Sequence, residues 1–318
     1  MTIDIVTFGE TMLRLSPSSG DRLETATSLN FRTAGAESNV AIAAARLGAS
    51  SVWLSKLPDS PLGRRVTNEV RQHGVEPRIE WDDEARQGTY YIEQGTTPLS
   101  TTVIYDRADA AITTARPTDR YRAAIQDAAI FYTSGITPAL SETLDETTRD
   151  LLATAQQAGT TTAFDLNYRS KLWSTTEARE TFESLFDDID IFVTAERDIY
   201  NVLDRQGSAT ELADELAADF DFETVIITRG ADGALAVHNG TTHEQPAFET
   251  DTVDAIGTGD AFFGGYLARH IAGDSVPEAL SYGAATAALK RTIEGDIAVV
   301  TPDGVGRVLN SEERGISR

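Results

Sequence analysis

The chain has no cysteine in its 318 residues, which excludes disulfides and thiolate metal sites. Its four histidines, His73, His238, His243 and His270, do not follow a metal-ligand spacing, so structural zinc is not expected. No apolar run approaches the roughly 18 residues of a membrane-spanning helix, and the N-terminal residues do not resemble a signal peptide. We therefore expect a cytoplasmic protein that has no membrane partner.

Positive charge is also scarce. The chain has 27 Lys and Arg against 50 Asp and Glu, a formal charge of -23, and only Lys56, Lys171 and Lys290 are lysines. This excess argues against nucleic acid as a partner. The acidic residues are spread along the chain, a pattern typical of a salt-adapted surface. Because dispersed carboxylates repel one another unless salt screens them, we expect stability that depends on salt.

Strand and helix patterns alternate along most of the chain. The predicted strands are residues 3–8, 51–54, a segment near residue 130, 161–165, 189–193 and 224–228, and the predicted helices are 37–47, 61–72, 141–157, 211–220 and 261–271. Repeated strand–helix units predict an α/β fold whose mostly parallel sheet carries helices on both faces. The length suits one large domain over residues 1–318.

Two segments interrupt this alternation. Residues 88–93 and 100–105 are rich in β-formers, and residues 13–32 lack helical periodicity. We interpret them as strands of a small, discontinuous β lid from about residues 11–33 and 86–107.

The most informative segment is residues 254–265, DAIGTGDAFFGG. Gly257 and Gly259 can adopt backbone angles closed to other residues, so the amides of residues 257–259 can converge on an anion. The positive end of the following helix would face the same point, with Asp260 at its start. We interpret the segment as a phosphoryl-transfer site. Alternatively, Asp260 is only an N-cap and the glycines only form a turn.

Other residues that could bind a ligand come directly after predicted strands: Gly9 and residues 165–169 and 228–233. Ligands of parallel sheets bind beyond the carboxyl ends of the strands, so we expect these residues to lie together. The chain has no P-loop and no dinucleotide-binding glycine pattern. Phosphate binding must therefore depend on residues 257–260.

Residues 254–265 resemble the C-terminal signature of the PfkB (ribokinase-like) family of carbohydrate kinases, and residues 35–39, GAESN, resemble its N-terminal signature. Ala255 and Thr258 depart from the family pattern, but both side chains are small. The resemblance covers nearly the whole chain. It implies a ribokinase-like fold, ATP and Mg²⁺ as cofactors with K⁺ left open, and a homo-oligomer.

The resemblance also implies site residues. Asp260 would be the general base, and the amides of Gly257, Thr258 and Gly259 would stabilise the transferring phosphoryl group. Nucleotide contacts would come from the same three residues and from Asn167, Thr228, Gly230 and Gly233. Taken alone, the 230–233 turn is more often structural. Residues 282–288 either shape an adenine slot or pack as a plain helix. Metal ligands stay unknown, because Ala195 and Asp198 stand where the family has Asn and Glu.

Within the family the chain is most similar to the 2-keto-3-deoxygluconate kinases, through residues 8–17, 35–39, 105–107 and 165–169. The similarity implies ATP-dependent formation of the 6-phosphate, with the galactonate epimer as a further substrate. The implied substrate-binding residues are Gly35, Ala36, Glu37, Tyr90, Tyr105, Arg107, Arg169, Asp260 and Asp296.

Three alternatives stay open. Arg107 and Arg169 would hold the sugar-acid carboxylate by charge-assisted hydrogen bonds, or they are surface ion-pair partners on an acidic protein. Tyr91 adjoins Tyr90, and either could face the substrate. The chain could instead be a kinase of fructose, ribose or a nucleoside, or a catalytically inactive sugar-binding regulatory protein.

Overall fold

The computed structural model describes residues 3–95 and 100–310. Its strands are β1 (Ile3–Phe8), β2 (Met12–Ser16), β3 (Asn30–Ala34), β4 (Ser51–Pro58), β5 (Glu76–Asp82), β6 (Thr89–Glu93), β7 (Thr102–Asp106), β8 (Ala128–Ser134), β9 (Thr161–Asp165), β10 (Ile191–Ala195), β11 (Thr224–Thr228), β12 (Ala234–His238) and β13 (Thr241–Gln245). Its helices are α1 (Ala36–Arg46), α2 (Pro61–Gln72), α3 (Asp119–Gln126), α4 (Glu142–Ala158), α5 (Thr175–Glu183), α6 (Glu196–Asn201), α7 (Ala209–Phe220), α8 (Thr258–Ile271), α9 (Val276–Arg291) and α10 (Pro302–Leu309).

The main sheet has the strand order β13-β12-β11-β10-β9-β8-β1-β4-β5. All neighbouring strands from β11 to β5 pair in parallel, whereas β12 and β13 are antiparallel additions at one edge. This confirms the predicted mostly parallel sheet. Sequence analysis did not predict β5, β12 or β13. The edge strands β5 and β13 are largely polar and contain few buried residues, so hydrogen bonding to a neighbouring strand, rather than an apolar pattern, makes them strands.

Hydrophobic layers cover both faces of this sheet. On β1, Val6 and Phe8 join one core cluster with helices such as α4 and α7, while Ile5 joins a second cluster with α1, α8 and α9. The alternation follows from the two-residue period of a strand. Helices therefore lie on both faces, as predicted. No helix in the described ranges is long and apolar enough to cross a bilayer.

A second, four-stranded sheet has the order β3-β2-β6-β7. Its apolar residues Met12, Ala34, Tyr90 and Ile92 pack together and against Ile256, which belongs to the glycine-rich segment. The lid sheet therefore lies against the predicted phosphoryl-transfer loop. Residues 96–99 of the predicted lid lie outside the described residues. The assignment of residues 1–318 to one domain, with lid boundaries at 11–33 and 86–107, stays a prediction.

Candidate active site

A cavity of about 490 Å³ lies between the lid and the carboxyl ends of β1, β9, β10 and β11. It is lined by every predicted substrate-binding residue: Gly35, Ala36, Glu37, Tyr90, Tyr105, Arg107, Arg169, Asp260 and Asp296. Asn167, Thr228 and residues 257–259 line it as well. The fold therefore gathers into one place groups that are more than 250 positions apart in the chain.

The glycine-rich segment forms the N-terminus of α8. Gly257 is the N-cap with φ of 76°, and a Cβ there would lie 2.1 Å from the carbonyl oxygen of Asp296, so only glycine fits. The helix begins at Thr258, three residues earlier than predicted. The Thr258 amide donates to the Ala255 carbonyl at 3.3 Å. Within the described chain, the amides of Gly257, Gly259 and Asp260 donate to no protein acceptor, so they are the groups free to bind an anion.

Asp260 lies in the first turn of this helix and faces the cavity. Its Oδ2 accepts a hydrogen bond of 2.7 Å from Nδ2 of Asn39, a residue of α1. Burial raises the pKa of Asp260 to about 6, against the lowering effects of Asn39 and the nearby Arg169. The carboxylate is therefore ionised at neutral pH but close to its pKa, which suits a general base. Sequence analysis missed Asn39, although it belongs to the GAESN segment.

Two further carboxyl groups line the cavity. Burial raises the pKa of Asp165 to about 7, with the charge of Asp260 adding to the effect. Burial likewise raises the pKa of Glu37 to about 7. Oε1 of Glu37 accepts hydrogen bonds from the hydroxyls of Ser134 (2.6 Å) and Thr137 (2.9 Å). Glu37 is therefore engaged with protein groups, whereas a role in binding substrate remains a proposal.

The two predicted carboxylate-binding arginines differ in their surroundings. Arg107 is 11% exposed and forms an ion pair with Glu10, which is 4% exposed. Arg169 is half-buried, and its guanidinium makes no hydrogen bond or ion pair with the part of the chain that the structure describes. Neither arginine is in an exposed surface ion pair. Arg169 in particular presents an unpaired positive charge to the cavity.

The lid contributes two tyrosines to the cavity wall. Tyr90 is buried, and its hydroxyl donates to Oδ2 of Asp296 at 2.9 Å. The ring of Tyr105 lies 5.9 Å from that of Tyr90, centre to centre. Tyr91 points to the other face of β6 and does not line the cavity. The geometry therefore selects Tyr90 over Tyr91.

A buried charge network beneath the lid was not predicted. Arg14 of β2, only 2% exposed, pairs with Asp254 at 3.1 Å and with Asp296. Nε2 of Gln94 donates to the same oxygen of Asp254 at 3.0 Å. These contacts join the lid to the start of the glycine-rich segment. Spacing along the chain gave no sign of them, because Arg14 and Asp254 are 240 positions apart.

A second cavity, also of about 490 Å³, adjoins the first. The two cavities share Thr228, Thr258 and Gly259 among their lining residues. Gly230 and Gly233 line only the second, and Gly233, with φ of 86°, leaves no room for a Cβ beside the Gln245 carbonyl. The N-terminus of α8 therefore stands between two cavities, as phosphoryl transfer between two ligands requires.

Helix α9 forms part of the wall of this second cavity. Ala284, Ala287 and Ala288 line it, whereas Gly283 and Thr286 pack closely against α8. The two interpretations of residues 282–288 thus describe two faces of one helix.

Metal ligands are not evident. In the described residues, no group of three or more His, Asp and Glu side chains could hold a metal ion. Asp198 lines the first cavity, but its Oδ1 lies 3.4 Å from Nε of Arg197.

A family model, described as pfkB family carbohydrate kinase, matches residues 2–303. The chain belongs to this family. It is 70% identical over 318 residues to a 2-dehydro-3-deoxygalactonokinase of Haloferax volcanii, and the match covers both chains completely. A crystal structure of 2-dehydro-3-deoxygluconokinase from Thermotoga maritima superimposes with a TM-score of 0.91 at 31% identity, over 98% of this chain and 99% of the other.

A third relative is aminoimidazole riboside kinase from Salmonella enterica, whose structure contains aminoimidazole riboside and an ATP analogue. It superimposes with a TM-score of 0.80 at 25% identity, over 96% of this chain and the whole of the other. These similarities confirm the expected ribokinase-like fold and the assignment of the chain as a carbohydrate kinase.

Proposed function

We propose that this kinase transfers a phosphoryl group from ATP to the terminal hydroxyl of a 2-keto-3-deoxy sugar acid. The first candidate is 2-keto-3-deoxygalactonate, because the Haloferax relative at 70% identity carries that activity in its name. The second is its epimer 2-keto-3-deoxygluconate, named for the Thermotoga relative. The observation that carries the proposal is the unpaired Arg169, which faces the same cavity as Asp260 and the buried Arg107.

An anionic sugar explains both arginines. The carboxylate of the sugar acid would accept hydrogen bonds from Arg169 and Arg107, while Tyr90 and Tyr105 enclose the carbon chain. A neutral sugar or nucleoside would make no ion pair with Arg169, whose charge would then be offset only through space by Asp165, Asp198 and Asp260. Binding of the acid group by the arginines would fix the orientation of the sugar, so that its terminal hydroxyl can face Asp260.

The reaction at Asp260 then balances as a direct transfer. The substrate oxygen forms a bond to the terminal phosphorus of ATP, the bond from that phosphorus to the bridging oxygen breaks, and ADP leaves. Asp260 accepts the hydroxyl proton. The free amides of Gly257, Gly259 and Asp260 donate hydrogen bonds to the oxygens of the phosphoryl group during its transfer.

We assign the ATP to the second cavity, on the far side of the α8 N-terminus. Support comes from the shared lining residues, the small side chains of α9 and the ATP analogue bound by the Salmonella relative. The roles of Thr228, Gly230 and Gly233 as nucleotide contacts belong to this proposal. Asn167 lines only the first cavity, so it would contact the transferring phosphate rather than the rest of the nucleotide.

Mg²⁺ would accompany the ATP and neutralise charge on its phosphates. The residues present fit an ion that is held mainly by phosphate and water, since no group of three or more His, Asp and Glu side chains in the described residues could hold a metal ion. Asp198, which stands where the family motif has Glu, is the acidic side chain that could reach such an ion.

The test is ATP consumption in molar potassium chloride with magnesium. Purified enzyme is offered 2-keto-3-deoxygalactonate, 2-keto-3-deoxygluconate, fructose, ribose and adenosine in turn. We expect turnover confined to the two sugar acids, and the ratio of kcat/KM between them decides the epimer. Preference for a neutral sugar or a nucleoside would overturn the substrate assignment. Sugar-acid binding by calorimetry without turnover would indicate a regulatory binding protein.

A further inference from the structure

Lys290 is one of three lysines in the chain and is completely buried. It lies in the last turn of α9. Its Nζ donates to the carbonyl oxygens of Asp254, at 3.0 Å, and Ile293, at 3.3 Å. In the described chain its ammonium forms no ion pair with a carboxylate, so it binds backbone oxygens alone. A buried ammonium that is held in this way is uncommon, because desolvating the charge is costly.

The surrounding charges explain why it is tolerated. Arg14 pairs with two buried carboxylates, Asp254 and Asp296, and the charges of both, with that of Asp260, favour the charged form of Lys290. Removing the ammonium would leave an excess negative charge in a buried place. These buried carboxylates adjoin the N-terminus of α8, where we propose that the negative phosphoryl group binds.

The carbonyl that Lys290 binds begins the phosphate-binding segment. The amide of Asp254 donates to the Arg291 carbonyl at 3.2 Å, and its Oδ1 accepts from the amide of Ile256 at 3.0 Å. Residues 254–256 are therefore fixed to the end of α9. The next residue is Gly257, whose amide is free for the anion.

We propose that Lys290 is a positioning residue for phosphoryl transfer: it fixes residues 254–256 through the Asp254 carbonyl, and its charge offsets that of the phosphoryl group from behind the loop. Lys290 lines neither of the two cavities, so it acts through the loop and not by contact with a ligand. The inference rests on the proposed role of the free amides.

The same charge acts on Asp260, which gives a measurable signature. The groups that influence or face Asp260 across the cavity are Asn39, Arg169, Asp296, Lys290, Asp165, Glu37 and Tyr132. Of these, Lys290 lowers the pKa of Asp260. Loss of the ammonium therefore raises this pKa, and the acidic limb of the kcat profile moves to higher pH.

The experiment compares Lys290→Met with Lys290→Gln and Lys290→Arg in the full-length enzyme. Lys56→Met is the control for loss of a lysine charge, because Lys56 is partly buried and paired with Asp82 but lies away from both cavities. We expect Lys290→Met to lower kcat about tenfold or more and to shift the acidic limb upward, with a small change in KM for the sugar acid. Lys290→Gln keeps a donor but loses the charge, so it should shift the limb too. Lys290→Arg should leave the limb in place.

Thermal melting of each variant shows whether it is folded. If Lys290→Met does not fold, Lys290→Gln supplies the neutral variant and Lys290→Arg the charged one. A neutral variant that melts at lower temperature but keeps the wild-type kcat and acidic limb overturns the inference, because Lys290 would then be structural only. The inference is supported if the acidic limb shifts in the neutral Lys290 variants and stays unchanged in Lys56→Met. Failure of the proposed function is distinct, since the wild-type enzyme itself would then not turn over a sugar acid.

Discussion

At the scale of single residues, chemistry in this protein is set by where a side chain is placed. Asp260 is an ordinary carboxylic acid in sequence, but burial brings its pKa to about 6, and Asn39 of another helix orients it. Arg169 is one of many arginines, yet it faces the cavity and forms no ion pair with any residue in 3–95 or 100–310. Both properties arise from the fold around the residue.

Replacing Asp260 by Asn should lower kcat by about 10²- to 10⁴-fold, the usual contribution of a general base. Binding of the sugar acid, measured by calorimetry, should change little. The raised pKa of Asp260 means that its stabilising contribution is present at low pH and is lost as pH rises through about 6. The variant should therefore melt no lower than wild type at neutral pH. Turnover above a tenth of the wild-type rate would exclude Asp260 as the base.

The pH profile gives a second expectation. Because Asp260 must be ionised to accept a proton, activity should decline as pH falls through about 6. Protonation of Asp165, whose pKa is raised to about 7, would remove a negative neighbour over the same range. Steady-state kinetics from pH 5 to 8 in constant salt, with circular dichroism to confirm folding, measures this limb. An activity independent of pH over that range would contradict the assignment.

Arg169→Gln and Arg107→Gln should have different signatures. Both should raise KM for the sugar acid, because each removes a charge that faces the carboxylate. Arg169 makes no ion pair within the described residues, and its charge acts only through space on Asp165 and Asp260, so its variant should lower Tm less than Arg107→Gln does. Arg107→Gln leaves Glu10 buried and unpaired, so it should also lower Tm. Arg116→Gln, at a highly exposed ion pair, is the control and should alter neither. Unchanged KM in both cavity variants would contradict the carboxylate clamp.

At the scale of elements, the N-terminus of α8 lies between the cavity proposed for the sugar acid and the cavity proposed for ATP. It presents three free amides between the two cavities, and the segment before it is bound to the lid through Arg14 and to α9 through Lys290. A displacement of the lid would therefore act on the same backbone that we propose to bind the anion.

Two glycines of this element allow a matched comparison. Gly257→Ala should destabilise the protein by about 2 kcal/mol or more, because φ is 76° and the new Cβ would meet the Asp296 carbonyl. Gly259→Ala meets no atom within 4 Å and lies in the first helical turn, so it should be neutral or mildly stabilising. Denaturant unfolding measures both. Equal effects would contradict the geometry of this turn.

At the scale of the whole molecule, the dominant property is the charge of -23. Self-repulsion of this size opposes the compact state, and salt screens it over a few ångströms at molar concentration. We expect Tm to rise from low to molar potassium chloride. Tetramethylammonium chloride at equal ionic strength is the control for a specific potassium effect and should act similarly. A Tm independent of salt would contradict the interpretation of the acidic surface. The cytoplasmic location and the homo-oligomer stay predictions.

The sequence by itself determined much of the architecture. Periodic apolar patterns are local, so β1, β9, β11 and α2 were predicted within a residue of their observed limits. The role of the 254–265 segment could also be predicted from sequence, because its glycines and the start of its helix lie within twelve consecutive residues. The residues of this segment alone thus predicted a phosphoryl-transfer loop, and together with the GAESN segment they indicated the family.

Only the tertiary structure decided how these pieces act on one another. Asn39 with Asp260, Arg107 with Glu10, and Arg14 and Lys290 with the 254–256 backbone are contacts between distant parts of the chain. Edge strands such as β5 also depend on a neighbour for their hydrogen bonds. Pairing, burial and the resulting pKa values depend on distances in space, and spacing along a chain does not contain them.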